Sequence, residues 1–132
     1  MADTMQFDLV SPERSLLSGQ ATAVRIPGAD GDMTAMPNHA PTVTTLRPGV
    51  LTVEMEGGDQ SFAVTGGFAQ ISSEGTTILA EEALPTSEVT AEFVSERVAK
   101  AEAARDAAQG EAVDAAAKMV SDLVALGQDV GV

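Results

Sequence analysis

The chain contains one histidine, His39, which lies in a short segment between Pro37 and Pro41. Imidazole changes its protonation near neutral pH, so His39 is the first candidate for a general base. A hydrolase would also need an activated nucleophile, and the motif Gly-x-Ser-x-Gly is missing from the sequence. Two interpretations stay open, a catalytic base and a histidine of a loop or interface, and the missing nucleophile favours the second.

A second candidate is the segment 27–32, which has the glycines and aspartates of a calcium or phosphate loop. An EF-type calcium loop ends with Glu at position 12, but counting from Asp30 that position is Pro41. A phosphate loop requires Gly-Lys-Ser or Gly-Lys-Thr, which the sequence lacks. The segment is therefore predicted to be a polar turn between strands. Glu81 and Glu82 are predicted to point to opposite faces of a strand, so they do not share a proton.

Composition excludes further classes of function. The 132 residues include no cysteine, so disulfides, thiolate nucleophiles and cysteine-ligated metals are excluded. They also include no tryptophan or tyrosine, so few aromatic rings are present on which bases or sugars could stack. Seven basic and 20 acidic residues give a net charge of −13, which repels nucleic-acid phosphates and anionic lipids. We expect no catalytic residue, no cofactor, no metal, no nucleic-acid partner and no insertion into a membrane. No signal segment is recognised, so a cytoplasmic protein is expected.

Residues 1–85 are predicted to form an antiparallel β-sandwich or barrel, because short apolar runs alternate with polar residues. The alternation places two sets of side chains on inner faces: Met5, Phe7 and Leu9 in one run and Leu51, Val53 and Met55 in another. Glycine-containing turn signals at 57–59 and 73–75 separate such runs. The first half is therefore expected to be all-β.

Residues 86–132 change to a helical period and are predicted to form an antiparallel hairpin of two helices. The apolar stripes are Val89, Phe93 and Val98 in the first helix and Val113, Val120 and Leu123 in the second. Thr86 or Ser87 is predicted to cap the first helix, and Gly127 to end the second. Because alanine-rich stripes bury little area, the hairpin is predicted to be a movable arm on a firm β-domain.

Three blocks of sequence follow one another along the chain in a fixed order. Phe-Asp-Leu-Val-Ser-Pro-Glu occupies residues 7–13, and Ile-Pro-Gly-x-x-Gly-Asp-Met-x-x-Met-Pro-Asn-His-Ala-Pro occupies residues 26–41. Thr-Gly-Gly-Phe-Ala-Gln-Ile follows at residues 65–71. Together the blocks resemble the epsilon subunit family of F-type ATP synthase, and the resemblance covers essentially the whole chain.

The resemblance implies a β-sandwich of about ten strands followed by a helical hairpin, in a non-catalytic subunit of the rotor. It implies that the sandwich clamps the gamma subunit to the c-ring and supports coupling of proton flow to ATP synthesis, at the cytoplasmic face of the inner or plasma membrane. The loop with Asp30, Gly31, Asp32 and His39 is implied to lie closest to gamma and the c-ring. Our hypothesis is that Asp32 pairs with a basic residue there.

The arm departs from relatives that bind ATP through a hydrophobic-Asp-x-x-Arg-Ala motif. Here residues 89–94 read Val-Thr-Ala-Glu-Phe-Val, without the Asp or the Arg, so we expect no ATP sensing. In some relatives the hairpin reaches the catalytic alpha/beta head, where basic residues of the helices meet acidic residues and hydrolysis is inhibited. The net charge of this arm is −5, from four basic and nine acidic residues, so weak or absent inhibition is expected. A regulatory inhibitor, a hydrolase using His39 and a free-standing binding module remain the alternatives.

Overall fold

A computed structural model describes residues 3–132, which form nine β-strands, one 3-10 turn and two α-helices. The strands are β1 (Met5–Val10), β2 (Ser15–Gly28), β3 (Gly31–Ala35), β4 (Thr42–Leu46), β5 (Gly49–Met55), β6 (Gly58–Val64), β7 (Gly67–Ile71), β8 (Gly75–Ala80) and β9 (Ala83–Pro85). The turn Thr86–Glu88 leads to α1 (Ala91–Ala107) and α2 (Ala112–Val130). The predicted order of a β-sandwich and a helical hairpin is confirmed, with nine strands in the described residues rather than about ten.

The strands form one continuous sheet that folds into two layers at β2, the longest strand. The first layer contains β4, β7, β8 and β1, and the first half of β2 pairs with β1. The second layer contains β3, the second half of β2, β5, β6 and β9. Neighbouring strands are antiparallel except β1 and β8, which run parallel from the pair Gln6–Gly75 to the pair Val10–Leu79.

The core lies between the two layers and is built from the alternating residues of the strands. Phe7, Leu9, Ile26, Leu51 and Ile78 are fully buried there, and their polar neighbours along the strands face outward. Burial of each such side chain contributes about 1.5–3 kcal/mol, so the alternation read from the sequence identifies the main stabilising element. The predicted inward faces of β1 and β5 are confirmed.

The hairpin packs on the outer face of the second layer. Leu126 of α2 and Val89 are buried against Ala63 of β6, and they form a small cluster separate from the main core. Leu123 is buried as predicted, whereas Val113 is exposed at the far end of α2. The hairpin is therefore attached near its base by a limited apolar contact.

Both predicted helix ends are wrong. Thr90 caps α1, and its side-chain oxygen accepts a hydrogen bond from the backbone N–H of Phe93 at 3.1 Å, because residues 86–88 form a separate 3-10 turn. Gly127 lies within α2, where an added Cβ would come 3.0 Å from Cγ1 of Val94 on α1. The helix ends at Gly131, whose φ of 85° is the left-handed conformation that glycine adopts easily.

Candidate partner interface

The two outer faces of the sandwich differ in what covers them. The face of β5, β6 and β9 lies beneath the hairpin, whereas the face of β1, β8, β7 and β4, here called the open face, leaves large apolar side chains exposed. Val43, Phe68 and Leu79 are 68%, 51% and 43% exposed. Phe68 pairs across strands with Leu79, so their side chains lie side by side. Adjacent exposed apolar groups of this kind are typical of a protein-binding surface.

An open apolar groove of about 320 Å3 borders the exposed pair Phe68 and Leu79. Val10 and Pro12 line its opposite side. Gly67 lies at its base with a φ of 128°, and a Cβ there would overlap the carbonyl oxygen of Leu79 and come 2.9 Å from Cα of Ala80. The glycine therefore permits the close approach of β7 to β8 that shapes the groove.

A polar ladder on β1 and the first half of β2 borders the open face. Ser18 donates a hydrogen bond to Oδ1 of Asp8 at 2.7 Å, and Gln20 donates one to Oε1 of Gln6 at 3.0 Å. Nε2 of Gln6 also lies 3.1 Å from Oγ of Ser18. The open face thus joins an apolar area to a hydrogen-bonded polar border, which is the usual anatomy of a protein–protein interface.

Asp30, Gly31 and Asp32 lie together at the turn from β2 to β3, and all three are exposed. The Arg47 guanidinium pairs with the carboxylate of Asp32 and donates a second hydrogen bond to the carbonyl oxygen of Gly28 at 2.6 Å. Asp32 therefore has a basic partner within its own chain. Arg47 ties this turn to the connection between β4 and β5.

His39 lies at the opposite end of β3, after residue 35, and is half-buried. The four residue steps of β3 between Gly31 and Ala35 span about 13 Å and separate His39 from the aspartates along the chain. Nδ1 of His39 is 2.7 Å from the carbonyl oxygen of Ala40. Within residues 3–132 the ring has no hydrogen bond to a serine, so the geometry offers the hydrolase interpretation no nucleophile. The single loop predicted from the sequence is interrupted by β3, with residues 30–32 at one end of this strand and His39 after the other.

Glu82 and Arg97 form a contact that the sequence analysis did not identify. Glu81 and Glu82 lie in the bend between β8 and β9 rather than on a strand, and Glu82 faces α1. Hydrogen bonding from Arg97 lowers the pKa of the Glu82 carboxyl below 4.5, although partial burial acts in the opposite direction. In the sequence Glu81 and Glu82 are simply two neighbouring carboxylates, because the partner Arg97 lies 15 residues further on, in α1.

Among residues 3–132, no group of three or more histidine, aspartate or glutamate side chains is arranged to hold a metal ion. In the same range, no helix combines the length and hydropathy of a membrane-spanning segment.

Comparison with known proteins identifies the family. Residues 4–86 match the family model "ATP synthase, Delta/Epsilon chain, beta-sandwich domain". The chain is 55% identical over 130 residues to the ATP synthase epsilon chain of Rhodobacter capsulatus, covering 98% of each. It is 57% identical to that of Ruegeria sp. strain TM1040, covering 96% of each.

Two solved structures share the fold. A chain of the Euglena gracilis mitochondrial ATP synthase matches with a TM-score of 0.74 at 24% identity, covering 96% of this chain and 81% of that one. A chain of the Tetrahymena thermophila mitochondrial ATP synthase matches with a TM-score of 0.73 at 17% identity, covering 98% of each. Sequence and fold agree, and this chain belongs to the epsilon chain family of ATP synthase.

Proposed function

We propose that this chain is a non-catalytic subunit of the central stalk, whose sandwich clamps the gamma subunit to the c-ring and supports coupling of proton flow to ATP synthesis. The open face carries the proposal, because its exposed apolar pair requires a protein partner. Membership of the epsilon chain family supports a place in the ATP synthase complex. The matching Tetrahymena chain comes from a structure of the central stalk and c-ring. The chain would be peripheral to the membrane, at the cytoplasmic face of the inner or plasma membrane, and held there by its partners.

Two partners require two surfaces, and the sandwich offers them. We assign the open face, with the neighbouring His39 segment before β4, to gamma. The turn with Asp30, Gly31 and Asp32 is at the other end of β3, and we assign it to the polar loops of the c-ring. A component between a rotating ring and a shaft must transmit torque without deforming, and a close-packed core satisfies this need.

The proposed domains follow from where these surfaces lie, because both are on the sandwich and neither is on the helical arm. We propose that residues 1–85 are the rotor-binding domain and that residues 86–132 are an accessory arm. The last strand ends at Pro85, and the arm contributes none of the exposed residues of the open face. The arm could still touch the alpha/beta head, although its net charge of −5 disfavours acidic surfaces there.

We further propose that the arm does not sense ATP. Residues 89–94 supply neither of the two charged groups of the motif that some relatives use. Arg97 lies one turn later, but its guanidinium is already bonded to Glu82 and Glu96. The alternative is a regulatory arm that inhibits ATP hydrolysis.

The test of the open face uses Phe68→Ser and Leu79→Ser in the full chain, with Val124→Ser as the control. Val124 on α2 is 42% exposed, close to the 43% of Leu79, but it lies on the arm. Titration against purified gamma should show at least tenfold weaker binding for both face variants, because central apolar contacts dominate such interfaces. The control should bind like the wild type.

Thermal unfolding of each variant separates a binding defect from loss of structure. Both face side chains are exposed, so the melting temperatures should change little. Wild-type affinity for gamma in both folded face variants would contradict the assignment of the open face.

A further inference from the structure

The arm is attached to the sandwich by few contacts. Ala63, Val89 and Leu126 are the buried residues of the contact cluster. Half-buried side chains pack around them: Val50, Leu84, Phe93, Val94 and Val130. The second half of α1 and the first half of α2 project beyond this cluster, and most of their residues are exposed. Because this apolar contact is small, one polar contact on α1 can shift the docking equilibrium by a measurable amount.

Arg97 on α1 supplies that contact. Its Nη2 donates a hydrogen bond to Oε2 of Glu82 at 2.6 Å, and its Nε donates one to Oε1 at 3.2 Å. The guanidinium also lies over the ring of Phe93, 3.9 Å from the ring centroid. A two-point guanidinium–carboxylate pair stacked on an aromatic ring fixes the orientation of both partners.

This pair joins the two parts of the chain. Of the ion pairs found among residues 3–132, only Glu82–Arg97 connects the sandwich to the arm. The arginine side chain is 27% exposed and the carboxylate side chain 45% exposed, so solvent and salt reach the pair. Its strength should therefore depend on ionic strength.

The sandwich and the arm both carry a net negative charge, so the attraction between Glu82 and Arg97 matters more for docking of the arm. Residues 1–85 carry three basic and 11 acidic residues, a net charge of −8, and the arm carries −5. The two parts therefore repel each other over longer distances, and docking depends on local pairing of opposite charges. Without Arg97, the arm would present Glu96 to a bend that contains Glu81 and Glu82, with Lys100 of α1 and Arg14 of the sandwich as the nearby cations.

We propose that the Glu82–Arg97 pair, stacked on Phe93, is a salt-sensitive latch that holds the arm against the sandwich without any bound ligand. When the latch opens, the apolar cluster of Ala63, Val89 and Leu126 is the contact that still attaches the arm to the sandwich. The latch consists of residues of this chain alone, so its test does not depend on the proposed role of the chain in the rotor.

The experiment measures the distance between the arm and the sandwich in the full chain. The protein contains no cysteine, so Asp59→Cys on β6 and Gln109→Cys between the helices allow specific attachment of two fluorophores. Arg97→Gln should raise the equilibrium constant for opening about fivefold, as expected for loss of a partly exposed ion pair. Raising KCl from about 50 mM to 1 M screens the repulsion between the two parts in both proteins but weakens the ion pair only in the wild type, so the difference in opening between R97Q and the wild type should shrink.

Two variants keep the test decisive. Arg105→Gln is the matched control, because it removes an arginine of α1 that pairs only with Glu102 and Asp106 on the arm, and it should leave the distance unchanged. The charge swap E82R/R97E should restore much of the docking lost in R97E alone, which a purely structural defect would not allow. An unchanged distance in R97Q at every salt concentration, or a swap no better than R97E, would overturn the latch.

Discussion

The ion pair of Asp32 forms within this chain and stabilises a turn of the sandwich. The carboxylate of Asp32 was expected to meet a basic group on another subunit, but Arg47 of the same chain already binds it. The same guanidinium holds the carbonyl oxygen of Gly28, and the backbone N–H of Arg47 donates to Pro27 at 3.0 Å. Arg47 is therefore the residue that sets the shape of the turn proposed to face the c-ring.

Arg47→Met should loosen this turn, because it removes both side-chain hydrogen bonds. Hydrogen exchange of the amides in residues 28–32 should become faster, and binding to purified c-ring should weaken several-fold in low salt. Asp32→Asn should have a smaller effect on exchange, since the bond from Arg47 to Gly28 remains. Arg25→Met is the control, because the Arg25 side chain is more exposed than that of Arg47 and its pair with Glu54 is longer, at 3.7 Å. Equal exchange in R47M and the wild type would contradict the role of Arg47.

Glu82 makes the latch sensitive to acid as well as to salt. Arg97 holds the folded-state pKa of Glu82 below its ordinary value of 4.5, so the unfolded or undocked chain takes up this proton first as pH falls. Charged groups nearby on α1 are Glu96 and Lys100, and Glu81 and Arg14 lie near the same bend. The stabilisation is complete above pH 4.5 and is lost as pH falls through the lowered pKa.

The difference in the free energy of arm docking between the wild type and Glu82→Gln should show the same dependence on pH. We expect a constant difference of at most about 1 kcal/mol between pH 6 and pH 8, which shrinks below about pH 4.5. The two-fluorophore distance measures it. A difference that is the same at pH 3.5 and pH 7 would show that the charge of Glu82 is not involved.

The strands depend on glycine where two of them approach most closely. Gly67 begins β7 with a φ of 128°, and the backbone of Leu79 and Ala80 occupies the space of a side chain. Gly57, in the turn between β5 and β6, also has a positive φ, of 98°, but nothing lies within 4 Å of an added Cβ. Substitution of these two glycines therefore distinguishes the free-energy cost of backbone strain from that of steric overlap.

Gly67→Ala should destabilise the protein by more than about 3 kcal/mol, because strain and backbone overlap add together. Gly57→Ala should cost about 1 kcal/mol, since it adds only strain. Urea unfolding of both variants measures the difference. Similar midpoints for the two variants would mean that β7 shifts away from β8 without loss of stability.

The elements differ in how well the sequence predicts them. Alternation predicts β1 and β5 because each buries one face, and Gly57 predicts the hairpin that joins β5 and β6. The helix ends depend on tertiary packing: Gly127 resembles a terminus in sequence but serves as a close contact with Val94. No local pattern predicts Glu82–Arg97, because a strand, a turn and a helix start separate the partners.

Two layers with different outer surfaces define the whole molecule. One outer face is covered by the chain's own arm, and the other stays open, which suits a subunit that binds its partner on one side. The partner assignments follow from this asymmetry together with the family. Neither the separation of His39 from Asp32 nor the open face follows from the sequence blocks, because both depend on how β3 and β4 are placed.

Deletion of residues 86–132 tests the function of the arm in the assembled enzyme. After reconstitution with gamma and the catalytic head, ATP hydrolysis should change less than about twofold, because the acidic arm is not attracted to acidic surfaces of the head. The full chain is the reference, and binding of gamma by the truncated chain is checked in parallel. A several-fold rise in hydrolysis would favour the inhibitory alternative.

The parallel pairing of β1 with β8 also sets an order of assembly during synthesis. Residues 5–10 can form a hairpin with β2 early, but their other edge stays unpaired until residues 75–79 have left the ribosome. Closure of the first layer therefore joins distant parts of the chain, a step that slows folding. The arm is made last, so it meets a sandwich whose strands are already complete, and nascent chains truncated before residue 75 should remain open to proteases.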